Sequence, residues 1–214
     1  LDEQALPERL RIAINADSLA TWWAAATAEF CAAQHVLMEL VVEDQEVGLK
    51  RMRAGEVAGC VCAAERPVAG ARSLALGAMR YRALASPAFV SRHFSTGVTA
   101  ESLARAPAIV YGPDDQLQHR YLAGLGVTGA FAYHLCPSSE GFVRLAEGGL
   151  GWGLVPELQV REALVGGRLV DLVPERFIDV PLYWHHWRNG GELLGELTEQ
   201  LRRHSASVLV SLHS

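Results

Sequence analysis

The first 63 residues set short apolar runs and helical runs in strict alternation. The hydrophobic pattern predicts strands over 9–15, 36–42 and 57–63, with helices over 18–34 and 44–54 between them. A β-α-β-α-β run of this kind folds as a mostly parallel sheet with right-handed crossovers. The strand over 36–42 is almost continuously apolar, which predicts burial on both faces. Ligands of such sheets bind beyond the carboxyl ends of the strands. Here those ends carry Asn15-Ala16-Asp17-Ser18 and Glu43-Asp44.

A second alternating unit follows an extended stretch over 73–86. Its strands are predicted over 108–111, 130–136 and 151–155, and its helices over 115–124, 138–147 and 157–164. An aromatic extended segment over 180–187 and a helix over 192–209 close the chain and are expected to return to the first unit. The fold expected is α/β, with two Rossmann-like lobes joined by two crossing strands and a cleft between them. Lobe I takes 1–80 plus 183–214, and lobe II takes 81–182. Gly148-Gly149-Leu150-Gly151-Trp152-Gly153 is a return from helix to strand, and it lacks the helix-opening placement of a phosphate loop.

Composition narrows the function classes. The chain has 214 residues, half of them hydrophobic, enough for a sizeable core. A net charge of −5 gives no basic footprint for gripping nucleic acid. Cys31, Cys60, Cys62 and Cys136 show no disulfide-framework spacing and read as reduced, buried thiols. No charged-then-apolar leader pattern and no apolar run of membrane-spanning length occurs, so the cytoplasm is the expected compartment.

The candidate site residues each have a plain structural alternative. Asp17 and Ser18, beside Asn15, offer a hydroxyl and helix-start amides to a carboxylate, or Ser18 is simply a helix N-cap. Glu43 and Asp44 are placed to meet an ammonium or guanidinium, or to favour the dipole of the following helix. Ser138, Ser139 and Glu140 repeat this arrangement in the second unit, and Asp114-Asp115 read as caps. In Trp184-His185-His186-Trp187 the neighbouring histidines point to opposite strand faces, which argues against a shared metal ion. Trp184 is either a cleft wall that stacks on a cation or core packing. No G-x-S-x-G, no cysteine with a helper histidine and no H-E-x-x-H is present, so neither catalysis nor a metal or organic cofactor is expected.

The segments Leu10-Arg11-Ile12-Ala13-Ile14-Asn15-Ala16-Asp17-Ser18-Leu19-Ala20-Thr21-Trp22, Val42-Glu43-Asp44, Arg53-Ala54-Gly55-Glu56-Val57, Ser138-Ser139-Glu140-Gly141-Phe142 and Leu182-Tyr183-Trp184-His185 resemble the effector-binding part of LysR-type transcriptional regulators. Within that family the ArgP/LysG subgroup is most similar, and the resemblance spans nearly the whole chain. It implies a two-lobed fold like type II periplasmic binding proteins. It also implies a winged helix-turn-helix outside this chain that makes the DNA contact, a homodimer or tetramer, and no membrane. The implied ligand is a basic amino acid, L-lysine or L-arginine, bound in the cleft to control transcription of amino-acid export genes. Carried over by position, Asn15, Asp17 and Ser18 match the first ligand loop, Glu43 and Asp44 the second, and Ser138, Ser139 and Glu140 the opposing lobe. The segment Tyr111-Gly112-Pro113-Asp114-Asp115 departs from the phenylalanine-bearing loop of the subgroup. A solute receptor of a transporter shares this fold; a signal peptide upstream would mark it, whereas a helix-turn-helix would mark the regulator.

Overall fold

A computed structural model describes residues 6–212. The chain divides into two compact units, with boundaries after Met79 and after Asp179. Two strands run through those boundaries, β4 (Ala71–Ala85) and β9 (Phe177–Trp187).

The first unit is built on β1 (Arg9–Ile14), β2 (Leu37–Val42) and β3 (Gly59–Cys62), with β1 parallel to both of the others. The strand order continues β2-β1-β3-β9-β4, and β9 is antiparallel to β3. Between β1 and β2 lie α1 (Ala16–Thr21) and α2 (Trp23–Gln34); between β2 and β3 lies α3 (Gln45–Arg53). The single helix expected over 18–34 is thus two helices that meet at Trp22. Trp22 and Trp23 are both buried, at 2% and 1% exposure. Trp22 sits in the joint between the two helices, and Trp23 opens α2.

One sheet face holds a tryptophan cluster. Trp23 packs against Trp22 and Trp184 with ring centroids 5.8 and 6.1 Å apart, and the Trp184 indole N–H donates to Thr198 Oγ1 on α9 (Gly191–Val208) at 3.0 Å. Gly59 makes room for this ring, since a Cβ there would collide with the Trp184 indole. The opposite face packs Ala13, Cys60 and Cys62 against Leu49 and Met52 of α3. Cys60 and Cys62 are therefore buried on one strand face as expected, whereas Cys31 and Cys136 are only half-buried; all four are free thiols.

β2 corrects a second expectation. It alternates exposed and half-buried residues, with Leu37 and Val42 each 45% exposed, because it is the outer strand of the order. A continuous apolar run does not distinguish a strand covered on both faces from an edge strand.

In the second unit, β4 pairs antiparallel with β7 (Gly153–Pro156) and β8 (Val170–Asp171), and β5 (Ala108–Val110) pairs parallel with β6 (Tyr133–Leu135). Around them stand α4 (Pro87–His93), α5 (Ala100–Arg105), α6 (Leu117–Ala123), α7 (Ser139–Glu147) and α8 (Arg161–Val165). Leu84, Ile109, Phe142, Val155 and Leu169 form its core. Trp152 is fully buried, and its indole N–H is shared between the carbonyls of Leu103 (3.2 Å) and Ala106 (3.3 Å).

Candidate functional site

The carboxyl end of β1 leaves two polar atoms unsatisfied. Asn15 is the N-cap of α1 in extended conformation, but its side chain makes no capping bond, and its Oδ1 is buried without a partner among the described residues. Ser18 lies inside α1 and not at its cap, which corrects the capping expectation. It is fully buried, and its hydroxyl likewise lacks a partner. Asp17 stays half-exposed in the same turn, where its carbonyl accepts the Thr21 hydroxyl at 2.6 Å. Asn15 Oδ1 and the Ser18 hydroxyl thus lie within one turn of each other at the end of β1, each buried without a hydrogen-bond partner among the described residues.

The second acidic position is already engaged. Glu43 accepts from Arg51 Nε at 2.8 Å and from a terminal Arg51 nitrogen at 2.5 Å, and Arg51 also reaches Glu56 at 2.9 Å. These hydrogen bonds, Glu43 first, raise the Arg51 pKa further. Asp44 Oδ1 accepts the Val47 N–H at 3.0 Å and is the N-cap of α3. Both acids therefore have a role in the fold independent of any ligand. Replacing Asp44 by Ala is expected to lower stability by about 1 kcal/mol, whereas Asp44→Asn keeps the cap and stays near wild type. Urea unfolding of the two variants checks this; equal losses would remove the cap from the account.

In the second unit, Ser138 caps α7 by accepting the Gly141 N–H at 3.0 Å. Ser139 is buried in the first turn with its carbonyl bonded by Gln159, and the exposed Glu140 pairs with Arg144 one turn on, at 3.0 Å. Asp115 accepts the N–H groups of Tyr111 and Leu117 at 3.2 and 3.0 Å and so fastens the turn before α6, but the N-cap of α6 is Gln116, which corrects the expectation that Asp114-Asp115 cap this helix.

The structure places Trp184 away from any ligand surface. Its exposure is 0%, and Trp23, Gly59 and Thr198 surround it, which corrects its assignment as a cleft wall. His185 is fully buried and bonds the Ala64 carbonyl through Nε2 at 2.6 Å. A carbonyl only accepts, so Nε2 carries the proton. The neighbouring His186 stacks on Trp184. Among the described residues no group of three His, Cys, Asp or Glu side chains is placed to hold a metal ion, and no helix is long and apolar enough to cross a membrane. The turn after β3, with Glu65 and Arg66, adjoins the same row of strand ends. Sequence reasoning passes over it because it carries no helix-start signal.

The alternation of strand and helix in both units, with polar residues at the strand ends, defines a ligand-binding α/β protein of the periplasmic-binding-protein type. The chain belongs to the LysR substrate-binding domain family, whose model matches residues 3–206. The HTH-type transcriptional regulator ArgP of Pseudomonas fluorescens (strain Pf0-1) is 75% identical over 212 residues, covering 99% of this chain and 71% of that protein. The C-terminal domains of a LysR family protein from Agrobacterium tumefaciens share 40% identity at a TM-score of 0.91, covering 96% of this chain and all of that one. Full-length LysG from Corynebacterium glutamicum with bound effector Arg matches at 35% identity and a TM-score of 0.83, over 94% of this chain and 69% of that one.

Proposed function

We propose that this chain is the effector-sensing region of a LysR-type transcriptional regulator and that its effector is a basic amino acid, L-arginine or L-lysine. The observation that supports the ligand class most directly is the likeness to LysG, solved with effector Arg, over 94% of this chain at 35% identity. The unsatisfied Asn15 and Ser18 atoms at the end of β1 support the location. In this reading Asn15 and Asp17 in the first unit and Ser138 and Ser139 in the second supply polar contacts, and Glu43, Asp44 and Glu140 supply negative potential. Ser18 acts from below the surface. The chain catalyses nothing and uses no cofactor. It works in the cytoplasm as a homodimer or larger assembly, and DNA is held by a helix-turn-helix segment outside residues 1–214. Its target genes serve amino-acid export. Signalling requires that the amino acid bind one conformational state more tightly than another, since a ligand with equal affinity for both shifts nothing.

Calorimetric titration with L-arginine, L-lysine and L-leucine tests the ligand class. Saturable heat is expected for at least one basic amino acid, with affinity at least about tenfold above that for leucine, a difference of about 1.4 kcal/mol. No heat with either, or equal binding of leucine, would overturn the reading.

A further inference from the structure

We infer that Cys60, Cys62 and His185 of the first unit form a buried site of reversible oxidation, at which a peroxide converts the two thiols to a disulfide. Cys60 and Cys62 stand two residues apart on β3 and so share one sheet face, the face covered by α3. β9 runs antiparallel beside β3 and sets His185 directly opposite Cys60, and Tyr183 opposite Cys62. Directly opposed residues present their side chains on the same face, so the imidazole joins the two thiols. A strand from the far end of the chain thus supplies the helper histidine that no local spacing shows, which corrects the expectation that no cysteine has one.

The three groups divide into a nucleophile, its base and a second thiol. His185 Nε2 donates to the Ala64 carbonyl at 2.6 Å, which leaves Nδ1 as a lone pair, buried without a hydrogen-bond partner among the described residues. The Cys60 thiol, and after it His185, stabilises negative charge on Cys62 and holds its pKa well below that of an ordinary thiol against the effect of burial, while Cys60 itself is pushed up. Burial opposes a charge on His185, but Cys62 outweighs it and raises the imidazole pKa. The sulfurs can also meet. Two residues of a strand advance about 6.6 Å, inside the Cα separation of about 4.4–6.8 Å that disulfides span. Gly48 of α3 makes room over Cys60, since a Cβ there would lie 2.8 Å from its Sγ. Cys60 and Cys62 are 1% and 3% exposed, closed to bulky reagents. A peroxide is little larger than water, and Tyr183, beside Cys62 in the ladder, lines an open cavity of about 490 Å³ that brings solvent to this point.

The chemistry runs in two steps. The Cys62 proton passes to His185 Nδ1, and the thiolate attacks one oxygen of hydrogen peroxide. The S–O bond forms as the O–O bond breaks, Cys62 becomes a sulfenic acid, and the departing hydroxide takes the proton from His185 and leaves as water. The Cys60 sulfur then attacks the Cys62 sulfur. The S–S bond forms as the S–O bond breaks, and the hydroxide leaves with the Cys60 proton as a second water. Two thiols lose two electrons and two protons, and one peroxide gains them; a dithiol reductant reverses the change. None of the three residues is among those assigned to the effector, and the inference does not depend on that assignment.

The test treats the folded chain with hydrogen peroxide at about pH 6.5, unfolds it in a thiol-blocking reagent and maps its peptides without reduction. The tryptic peptide 54–72 holds Cys60 and Cys62 and no other cysteine. It is expected to lose two hydrogens and to take up the blocking reagent only after treatment with a dithiol, while Cys31 and Cys136 are blocked directly. At this pH an ordinary thiol of pKa about 8.5 is only about 1% ionised, so oxidation should run at least about tenfold faster in the wild type than in Cys62→Ser or His185→Gln. His185→Gln keeps a donor for the Ala64 carbonyl while removing the base. Cys60→Ser should stop at the sulfenic acid, trapped by dimedone. The wild-type rate supplies a readout free of any variant: it should hold nearly level from about pH 8 to 6.5, where that of an ordinary thiol falls about tenfold per unit. The inference is overturned if peptide 54–72 returns with both thiols blocked, if Cys62→Ser is oxidised at Cys60 as fast as the wild type reacts, or if oxidation requires urea.

Discussion

Truncating Trp184 to Ala should remove about 3–5 kcal/mol of stability, the range for deleting a fully buried large aromatic side chain. The ring has no exposed surface, packs against Trp23, and lies over Gly59 where no side chain can replace it. It is also held by Thr198, whose hydroxyl donates in turn to the Leu194 carbonyl at 2.7 Å. Loss of the indole therefore leaves a void between β3, β9, α2 and α9 that the glycine backbone cannot fill. Urea unfolding followed by circular dichroism measures the change; a loss under about 1 kcal/mol would mean that the helices close over the gap. Trp184→Phe, which keeps most of the volume, should lose markedly less.

Replacing Arg82 by Met should have the second largest effect, about 1.5–3 kcal/mol, because it strands two carboxylates around a partly buried position. Arg82 donates to Glu157 at 2.7 Å, to Asp171 at 3.2 Å and to the Pro174 carbonyl at 2.9 Å. Its side chain and that of Asp171 are 19% and 17% exposed, whereas Glu157 at 37% is better hydrated and loses less. Arg80 repeats the pattern on the same strand face, gripping both oxygens of Asp179 at 2.9 Å with its guanidinium 3.7 Å over the Phe177 ring. Burial already raises the Asp171 pKa above its ordinary value against the pull of Arg82. Without Arg82 the ionised form is less favoured still, so the deficit should be greatest near pH 7 and shrink as the pH falls through the titration of Asp171. Adding Asp171→Asn to Arg82→Met should recover part of the loss at pH 7. A pH-independent deficit, or no recovery, would show that lost packing and not stranded charge sets the cost.

The alternating strands and helices of the first unit are legible in the sequence because the switch between two-residue and 3.6-residue hydrophobic periods is sharp, and Asp44 and Ser138 announce their helices as caps. The break at Trp22 is not legible, since no glycine or proline stands between residues 16 and 34 to mark it. The helices Pro87–His93 and Ala100–Arg105 escape the same reading for being short. Their start signals, Ser86 before Pro87 and the reciprocal Thr99–Ser102 box, are nevertheless present in the chain. In the site, residue type identifies acids and hydroxyls at strand ends but not their partners. Arg51 lies on α3 eight residues after Glu43, and nothing in the spacing alone says that it folds back to claim that carboxylate. Trp184 shows the converse: an aromatic residue in an extended segment looks available until α9 covers it.

The paths of β4 and β9 also fix an order of assembly on the ribosome. The second unit is one continuous stretch of chain, Arg80–Asp179, and all its strands and helices can meet as soon as it has emerged. The first unit is made earlier but finished later, because β3 has no neighbour on its β9 side until Tyr183 to His186 are synthesised and α9 does not yet cover the tryptophans. For most of translation Trp23 and the open edge of β3 are therefore exposed, the kind of surface that recruits chaperones or aggregates.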